Sequence, residues 1–282
     1  MKRFKLAIAS GKGGVGKSML SSVLAVLFSD KKKIVAVDCD VDAPNLAIWL
    51  NEGREWKTRK KVYTSSKAVI DYRKCTGCGL CADVCRFRAI KMVKGKPVIN
   101  PFLCEGCAAC KVVCPQKAIS LKKVRNGEIK IKKTKHGFYL IAGQLVPGET
   151  GSGKIVAQLK QEAEKIKHDL AIIDSAPGTG CPVIASLQGV DYVVLITEPT
   201  PSGVSDLKRT LEVVSHFGIN WGLVINKWDV NPDLTQKIEK EFKSRNIGKI
   251  SYDKDIFKMK ISSKIRKEID NIFKHLLTIF SA

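Results

Sequence analysis

The chain has 282 residues, 44% of them hydrophobic, and a formal net charge of +22 from 49 Lys and Arg against 27 Asp and Glu. This length exceeds what one hydrophobic core usually organises, so we expect two domains with sizeable interiors. No run approaches the roughly eighteen apolar residues that a membrane span needs, and the apolar stretch after Met1-Lys2-Arg3 gives way to glycines too soon for a cleavable signal. We therefore expect a cytoplasmic protein.

The first chemical motif is a phosphate-binding loop that follows the short apolar run of residues 6–9. Residues 11–18 match G-x-x-x-x-G-K-[ST], and an apolar helical pattern continues over residues 19–28. Glycines let backbone N–H groups crowd around phosphate oxygens, and the positive end of the following helix also attracts them. Lys17 is predicted to contact the β and γ phosphates and Ser18 to bind Mg²⁺. The predicted nucleotide-binding residues here are Gly11, Lys12, Gly13, Gly14, Val15, Gly16, Lys17, Ser18 and Met19.

Lys12 follows the first glycine of this loop, and a second lysine there is typical of the deviant Walker A P-loop ATPases. The chain resembles this SIMIBI-type family, which includes MinD, ParA, Mrp and the nitrogenase iron protein. The resemblance implies that two nucleotide-bound subunits face each other, with Lys12 reaching the phosphates of the partner subunit. It therefore implies ATP or ADP with Mg²⁺ as ligands, a homodimer that forms on ATP binding, and catalytic roles for Lys12 and Lys17.

A second buried-strand pattern, residues 34–37, leads to the acidic residues Asp38 and Asp40. This segment resembles the first switch of the same family. The resemblance implies that Asp40 is a catalytic residue that orients the attacking water, and that Asp38 supports Mg²⁺ through water. Carboxylates suit this place because a hydrated magnesium ion needs negative outer partners.

Eight of the ten cysteines form one run that occurs twice, and each cysteine of the second run lies 29 positions after its counterpart. Thiolates at steps of three residues can bind three corners of an iron–sulfur cube. Flanking residues repeat as well, since Ala89-Ile90 corresponds to Ala118-Ile119. The runs are Cys75-x2-Cys78-x2-Cys81-x3-Cys85 and Cys104-x2-Cys107-x2-Cys110-x3-Cys114.

Residues 67–122 resemble a bacterial-type ferredoxin with two 4Fe-4S clusters, in which the fourth cysteine of each run crosses to the other cluster. The family pattern ends in Cys-Pro, which the second run keeps and the first replaces with Cys85-Arg86. Disulfides are disfavoured in the cytosol, and zinc sites usually pair two separated C-x2-C knuckles. The resemblance implies one cluster bound by Cys75, Cys78, Cys81 and Cys114, and a second bound by Cys104, Cys107, Cys110 and Cys85.

A third apolar run, residues 170–173, leads to Asp174 and then to Gly178. This segment resembles the Walker B aspartate and the second switch of the family. The resemblance implies that Asp174 supports Mg²⁺ together with Ser18 and Asp38, and that the backbone at Gly178 senses the nucleotide.

A further strand-like run ends at Asn226 and is followed by Asp229 in the string Asn-Lys-Trp-Asp. The family resemblance implies that Asn226 contacts the adenine. The same string binds guanine in GTPases, where the aspartate accepts from the ring, so Asp229 keeps GTP open. ATP is favoured because GTPases have a different phosphate loop and switch arrangement.

The alternation of strand-like and helical runs predicts an α/β protein with a doubly wound, mainly parallel sheet. We expect residues 1–63 and 125–282 to form a discontinuous P-loop ATPase domain and residues 64–124 to form an inserted α+β ferredoxin-like domain. Apolar residues recur at helical spacing over residues 264–280. For this helix, packing on the core is favoured over membrane binding of the MinD type. Cys39 and Cys181 lie outside both cysteine runs and are interpreted as small packed residues, with a redox or metal role left open for Cys181.

Together these motifs predict an ATP-hydrolysing iron–sulfur protein in which a nucleotide-dependent dimer switch is coupled to low-potential electron transfer. Two alternatives stay open: iron–sulfur cluster assembly or delivery of the Mrp type, and a nucleotide-switched positioning protein whose clusters are structural. The basic charge suits an acidic redox partner, and delivery would need an apo-protein acceptor. The lysines are dispersed and no nucleic-acid-binding motif accompanies them, so neither nucleic acid nor membrane is expected as a partner.

Overall fold

The computed structural model describes residues 3–53, 55–258 and 261–281. Backbone contacts divide the chain into two compact units. The first unit comprises Met1–Arg59, Ile129–Gln144 and Ser152–Ala282, and the second, here called the cysteine-rich unit, comprises Lys60–Glu128 and Leu145–Gly151. The cysteine-rich unit thus includes residues 60–63, 125–128 and 145–151, which were predicted to belong to the ATPase domain.

Strands and helices alternate along most of the described chain. The strands are β1 (Phe4–Ser10), β2 (Ile34–Asp38), β3 (Thr58–Val62), β4 (Ser65–Ile70), β5 (Ile90–Val93), β6 (Lys96–Ile99), β7 (Ile119–Val124), β8 (Gly127–Lys133), β9 (Tyr139–Leu145), β10 (Leu170–Pro177), β11 (Tyr192–Thr197), β12 (Asn220–Asn226) and β13 (Asn246–Ile250). The α-helices are α1 (Lys17–Ser29), α2 (Leu46–Trp49), α3 (Leu80–Asp83), α4 (Ala109–Val112), α5 (Ser152–Glu164), α6 (Cys181–Leu187), α7 (Pro201–His216), α8 (Pro232–Glu241) and α9 (Ser263–Ser281).

The large sheet joins its strands in the order β13, β12, β11, β1, β10, β2, β9, β8 and β3. Neighbours from β13 to β9 are parallel, and Leu6 of β1 lies between Ile172 of β10 and Tyr192 of β11. Parallel strands present their carboxyl ends at one edge of a sheet. The predicted motifs that follow β1, β2, β10 and β12 therefore meet at this edge. The α/β P-loop fold with a mainly parallel sheet is confirmed.

Both faces of this sheet are buried, as its apolar strands require. Leu6 and Ile8 of β1 belong to a core that includes side chains of α1 and α9, whereas Ala7 and Ala9 point to the opposite face and are also fully buried. Strands buried on both faces are continuous apolar runs rather than alternating ones. This explains why residues 6–9 and 170–173 were recognisable from the sequence.

The C-terminal helix α9 packs on the first unit's core. Ile265, Ile269, Ile272 and Leu276 are each at most 1% exposed, and the ring of Phe273 packs edge-on against another core ring. The preferred interpretation of residues 264–280 as a core-packing helix is confirmed. Across the described ranges of the chain, no helix combines the length and apolar character needed to cross a bilayer.

The cysteine-rich unit is built on the 29-residue repeat. Strands β4 and β7 form one antiparallel pair and β5 and β6 another. Repeat-related hydrogen bonds tie the two halves together, from Asp71 N to Ala118 O and from Asn100 N to Ala89 O, each at 2.7 Å. Backbone conformations repeat as well, because Gly77 and its counterpart 29 residues later both have positive φ. The sequence repeat is therefore also a structural repeat.

Candidate functional site

The phosphate-binding loop connects β1 to α1 and is held by a side chain from β12. Gly16, the residue before α1, has φ 92°, and a Cβ there would lie 2.4 Å from Asn226 Nδ2. Asn226 Nδ2 donates a hydrogen bond to Val15 O over 2.7 Å. Only glycine fits at this position, because both the conformation and the close amide exclude a side chain.

A cavity of about 530 Å³ opens beside this loop within the first unit. The predicted residues that line it are Lys12, Gly13, Gly14, Gly16, Lys17, Ser18, Met19, Asp40 and Asn226. The predicted residues outside its lining are Gly11, Val15, Asp38, Asp174, Gly178 and Asp229. The structure therefore gathers the phosphate loop, the first-switch aspartate and the asparagine around one space.

Lys17 and Asp174 form a buried ion pair behind the loop. Lys17 Nζ donates to Asp174 Oδ1 over 3.0 Å, and Ser21 Oγ donates to the same oxygen over 2.9 Å. Burial alone would lower the pKa of Lys17, but the nearby carboxylates, Asp174 foremost and then Asp38 and Asp40, together outweigh it and raise that pKa. Asp174 Oδ2 is buried without a hydrogen-bond partner. Mg²⁺ prefers oxygen ligands, so an unpartnered carboxylate oxygen behind the phosphate-binding loop suits this ion.

The two aspartates after β2 are held by backbone amides. Asp38 accepts from Asp40 N over 3.2 Å and from Leu46 N over 2.9 Å, and Asp40 accepts from Ala43 N over 3.3 Å. Burial, reinforced by Asp174, raises the pKa of Asp38 to about 8. Burial also raises the pKa of the Asp40 carboxyl. Both groups gain a stronger affinity for protons or cations than an exposed carboxylate has.

Lys12 contacts the loop that follows β11 and the first turn of α7. Its Nζ lies 2.6 Å from Glu198 Oε1, 3.4 Å from Thr200 Oγ1 and 3.2 Å from Ser202 Oγ. Lys227 Nζ lies 2.8 Å from the other oxygen of Glu198. In this arrangement the second lysine of the loop is bound by its own subunit.

Asp229 and Gly178 each make a hydrogen bond that joins two backbone segments near the cavity. Asp229 Oδ1 accepts from Tyr252 N over 2.7 Å, which joins the segment after β12 to the segment after β13. Gly178 N donates to Ser10 O over 3.0 Å, which places the predicted second switch against the end of β1.

The cysteines of the two runs line two separate cavities in the cysteine-rich unit. Each cavity contains three cysteines of one run and the fourth cysteine of the other run. The first, called the Cys75 site, is lined by Cys75, Cys78, Cys81 and Cys114, together with Pro97 and Gln116. The second, called the Cys104 site, is lined by Cys104, Cys107, Cys110 and Cys85, together with Phe87.

Backbone amides point at the sulfurs of these sites. Ala118 N donates to Cys114 Sγ and Ala89 N to Cys85 Sγ, both over 3.3 Å. Amide hydrogen bonds to sulfur stabilise thiolates and are one of the features that set the potentials of iron–sulfur sites.

The four cysteines of each site can be compared with the ligands of a mononuclear zinc site. Four thiolates on one zinc ion lie about 3.8 Å apart, because Zn–S bonds of ~2.3 Å point to the corners of a tetrahedron. In the part of the chain that the structure describes, no three His, Cys, Asp or Glu side chains are grouped in a way that could hold a metal ion. Each site nevertheless presents four cysteines and an amide that donates to sulfur, which is a donor set that can hold a 4Fe-4S cluster.

Comparison with known proteins identifies the family of this chain. The family described as the CobQ/CobB/MinD/ParA nucleotide binding domain matches residues 6–264. The chain belongs to this family. An uncharacterized protein of Methanocaldococcus jannaschii is 44% identical over 227 residues, which is 80% of this chain and 79% of the relative. A second protein of that organism, described as an uncharacterized ATP-binding protein, is 25% identical and covers 98% of both chains.

The solved structure of the septum site-determining protein MinD from Pyrococcus horikoshii, in complex with Mg-ADP, has the same fold as this MinD/ParA-type chain. The TM-score is 0.60 at 17% identity, with 100% of this chain and 99% of that chain covered. These comparisons concern the nucleotide-binding fold. The iron–sulfur interpretation rests instead on the spacing of the cysteines in the sequence and on their placement around the two cavities.

Several cavity residues of this MinD/ParA-type chain escaped the sequence analysis. They are Asn45, Trp49, Lys227, Ser251, Tyr252, Asp253 and Ile256. The last four follow β13, whose sequence Asn-Ile-Gly-Lys-Ile is too polar to predict a buried strand. The usable signal was their place after a strand at the same edge of the sheet.

Proposed function

We propose that the chain binds ATP with Mg²⁺ and hydrolyses it to ADP and phosphate. The observation that carries this proposal is Asp174, whose second carboxylate oxygen is buried without a partner behind a phosphate-binding loop. Ser18, Asp38 and Asp174 would hold Mg²⁺, directly or through water. The ion supplies charge neutralisation at the β and γ phosphates.

The remaining roles follow from the side chains of the cavity. When nucleotide binds, the Lys17 ammonium would leave Asp174 and contact the β and γ phosphates. The Lys12 ammonium would leave Glu198 and contact the phosphates of a partner subunit. Asp40 would orient the water that adds to the γ phosphorus while the bond to ADP breaks. Asn226 would contact the adenine. ATP is preferred over GTP because Asp229 already accepts from Tyr252 N, so its carboxylate is engaged by the chain itself.

Nucleotide binding and phosphate release test this part of the proposal. Titration calorimetry with ATP and GTP should show a preference for ATP, and Asp40→Asn should keep ATP binding while turnover falls about 100-fold. A folded chain that binds neither nucleotide would overturn the proposal.

The cysteine-rich unit is proposed to hold two 4Fe-4S clusters, with residues 64–124 as a ferredoxin-like domain. The crossed set of cysteines at each site supports this. When bound, each cluster supplies a reversible one-electron site. Anaerobic reconstitution should give about eight iron atoms per chain. Cys114→Ser should then deplete the Cys75 site and Cys85→Ser the Cys104 site, as resolved by their EPR signals. Zinc in place of iron would contradict this part.

We propose further that nucleotide state and electron transfer are coupled. Ser152, the first residue of α5, directly follows the cysteine-rich unit in the chain, and α5 packs against α6, where a Cβ on Gly153 would lie 3.0 Å from Cys181 O. Helix α6 in turn follows the predicted second switch. Reduction potentials measured with ADP and with a non-hydrolysable ATP analogue should differ. Identical potentials and accessibilities would remove the coupling.

The kinship with MinD favours one alternative, a nucleotide-switched positioning protein whose clusters are structural. It predicts redox-silent clusters. Stable redox-active clusters would favour electron transfer, and labile clusters that pass to an apo-protein would favour delivery. An acidic redox partner is favoured by the net charge of +22. Its association rate with the chain should fall steeply with salt.

A further inference from the structure

Two lysines related by the repeat make equivalent contacts with the two cysteine sites. Lys96 Nζ donates to Cys75 O over 2.7 Å, and Lys67 Nζ donates to Cys104 O over 3.0 Å. Lys67 lies 29 positions before Lys96, as Cys75 lies before Cys104. Each lysine therefore binds the first cysteine of the other repeat. Substitutions of Lys67 and Lys96 can accordingly be compared with each other as internal controls.

The surroundings of these two ammonium groups differ. Lys67 is only 6% exposed and lies 3.3 Å from Glu149 Oε2, on the segment that the cysteine-rich unit gains from residues 145–151. Lys96 is exposed to solvent. Water and salt screen an exposed charge much more than a buried one. The Lys67 ammonium therefore acts on the Cys104 site with less screening than Lys96 does on the Cys75 site, although the Glu149 carboxylate offsets part of its charge.

A second difference concerns a hydrogen bond to sulfur. Ala68 N donates to Cys104 Sγ over 3.4 Å. The repeat equivalent of Ala68 is Pro97, which has no N–H to donate. Cys75 therefore cannot receive the bond that Cys104 receives, although Pro97 lines the Cys75 site.

We propose that Lys67 and the Ala68 amide give the Cys104 site a higher reduction potential than the Cys75 site. The inference rests on the proposed loading of both sites with 4Fe-4S clusters. Reduction adds one electron, and so one negative charge, to a site. A buried cation and an N–H···S hydrogen bond both stabilise that added charge and raise the potential. The two differences act in the same direction.

The difference in reduction potential sets the direction of electron transfer between the two sites. An electron from a low-potential donor that enters at the Cys75 site moves downhill to the Cys104 site, and a chain with one added electron holds it there. Lys67, Ala68 and Glu149 are positioning residues in this account, because they act on the cluster through Cys104 or through one another.

An EPR-monitored redox titration of the full, iron-loaded chain with dithionite as reductant tests the proposal. The wild-type chain should show two potentials. Lys67→Met should lower the higher of these two potentials, whereas Lys67→Arg, which keeps the positive charge, should retain it. Glu149→Gln, which removes the opposing carboxylate, should raise the same potential. Lys96→Met is the matched control and should shift the lower potential by less. Pro97→Ala should raise the lower potential if the new amide donates to Cys75 Sγ.

The outcomes separate this inference from the proposed function. Two equal potentials, or a higher potential that Lys67→Met leaves unchanged, would overturn the inference while the clusters remain established. A chain that takes up no iron would instead overturn the proposed function, and the inference with it. Iron and sulfide contents, together with circular dichroism, show whether each variant is loaded and folded before its potentials are compared.

Discussion

Lys17 Nζ and Asp174 Oδ1 are 3.0 Å apart, and neither side chain is more than 7% exposed. The pair joins the end of the phosphate-binding loop to β10, 157 residues later in the chain. A buried ion pair is costly to break, because removing one partner leaves the other charge without compensation in the interior.

Replacing Lys17 should therefore destabilise the nucleotide-free chain. We expect Lys17→Met to lower the free energy of unfolding by about 3 kcal/mol, and Lys17→Met with Asp174→Asn to recover part of this loss. Urea denaturation of both variants measures the coupling. Lys5→Met is the matched control, since the Lys5–Glu164 pair is partly exposed and should contribute less than about 1 kcal/mol. Equal losses for the two lysines would contradict the prediction.

Lys12 should matter for turnover rather than for stability. Its side chain is 29% exposed, so loss of the Glu198 contact should change the free energy of unfolding by less than about 1 kcal/mol. If Lys12 contacts the phosphates of the partner subunit, Lys12→Ala should lower ATP turnover about 100-fold or more and abolish ATP-dependent dimers. Phosphate release and sedimentation velocity measure the two effects. Lys208→Ala, which removes the exposed pair with Glu241, should change neither.

Lys160 should make the stability of the chain depend on alkaline pH. Its Nζ donates to Ala185 O and Ser186 O, both over 3.0 Å, and to Gln188 O, and so binds the carbonyl end of α6. Burial lowers the pKa of Lys160 from 10.5 to about 8. Between these values the unfolded state binds more protons than the folded state, so stability should rise with pH by up to about 1.4 kcal/mol per pH unit.

Urea denaturation between pH 7 and 10 isolates this contribution. The difference in unfolding free energy between the wild-type chain and Lys160→Met should grow with pH. The same difference for Lys165→Met, which removes an exposed pair with Glu162, should stay constant. A Lys160→Met difference that is flat across this range would show that the proton is bound equally in both states.

The two cysteines outside the runs should differ sharply in reactivity. Cys39 is fully buried, and burial raises the pKa of its thiol to about 12, whereas Cys181 is exposed. Because the thiolate is the reactive form, iodoacetamide should alkylate Cys181 in the native chain and Cys39 only after denaturation. Peptide mass spectrometry assigns the modified site, with Cys181→Ser as the control. Equally fast alkylation of Cys39 would be incompatible with its burial.

The sequence was sufficient for those parts of the site that depend on local pattern. Apolar runs buried on both sheet faces, followed by glycines or aspartates, predicted the strands that carry Asp38 and Asp174 and the loop after β1 without knowledge of the tertiary fold. Parallel topology then brings such strand ends to one edge. Cys39 was also correctly interpreted as a small packed residue, whereas the same interpretation is wrong for Cys181, which is exposed.

Contacts between distant segments could not be predicted in the same way. The hydrogen bond from Asn226 to Val15 O spans 211 residues, and no local pattern indicates it. Glu149 lies far from the cysteine runs in sequence, yet it contacts Lys67. Ala68 and Pro97 could be aligned by the repeat from the sequence alone, but the meaning of the missing N–H required the position of the Cys104 sulfur.

The exchange of Cys85 and Cys114 between the two cavities makes each repeat dependent on the other. Unfolding of one repeat would remove lining residues from both cavities, because each cavity takes cysteines from both repeats. Neither repeat alone supplies the four cysteines of a cavity. Separation of the two repeats would therefore leave both sites one cysteine short. The two halves are thus interdependent, since neither cysteine set is complete without the other half.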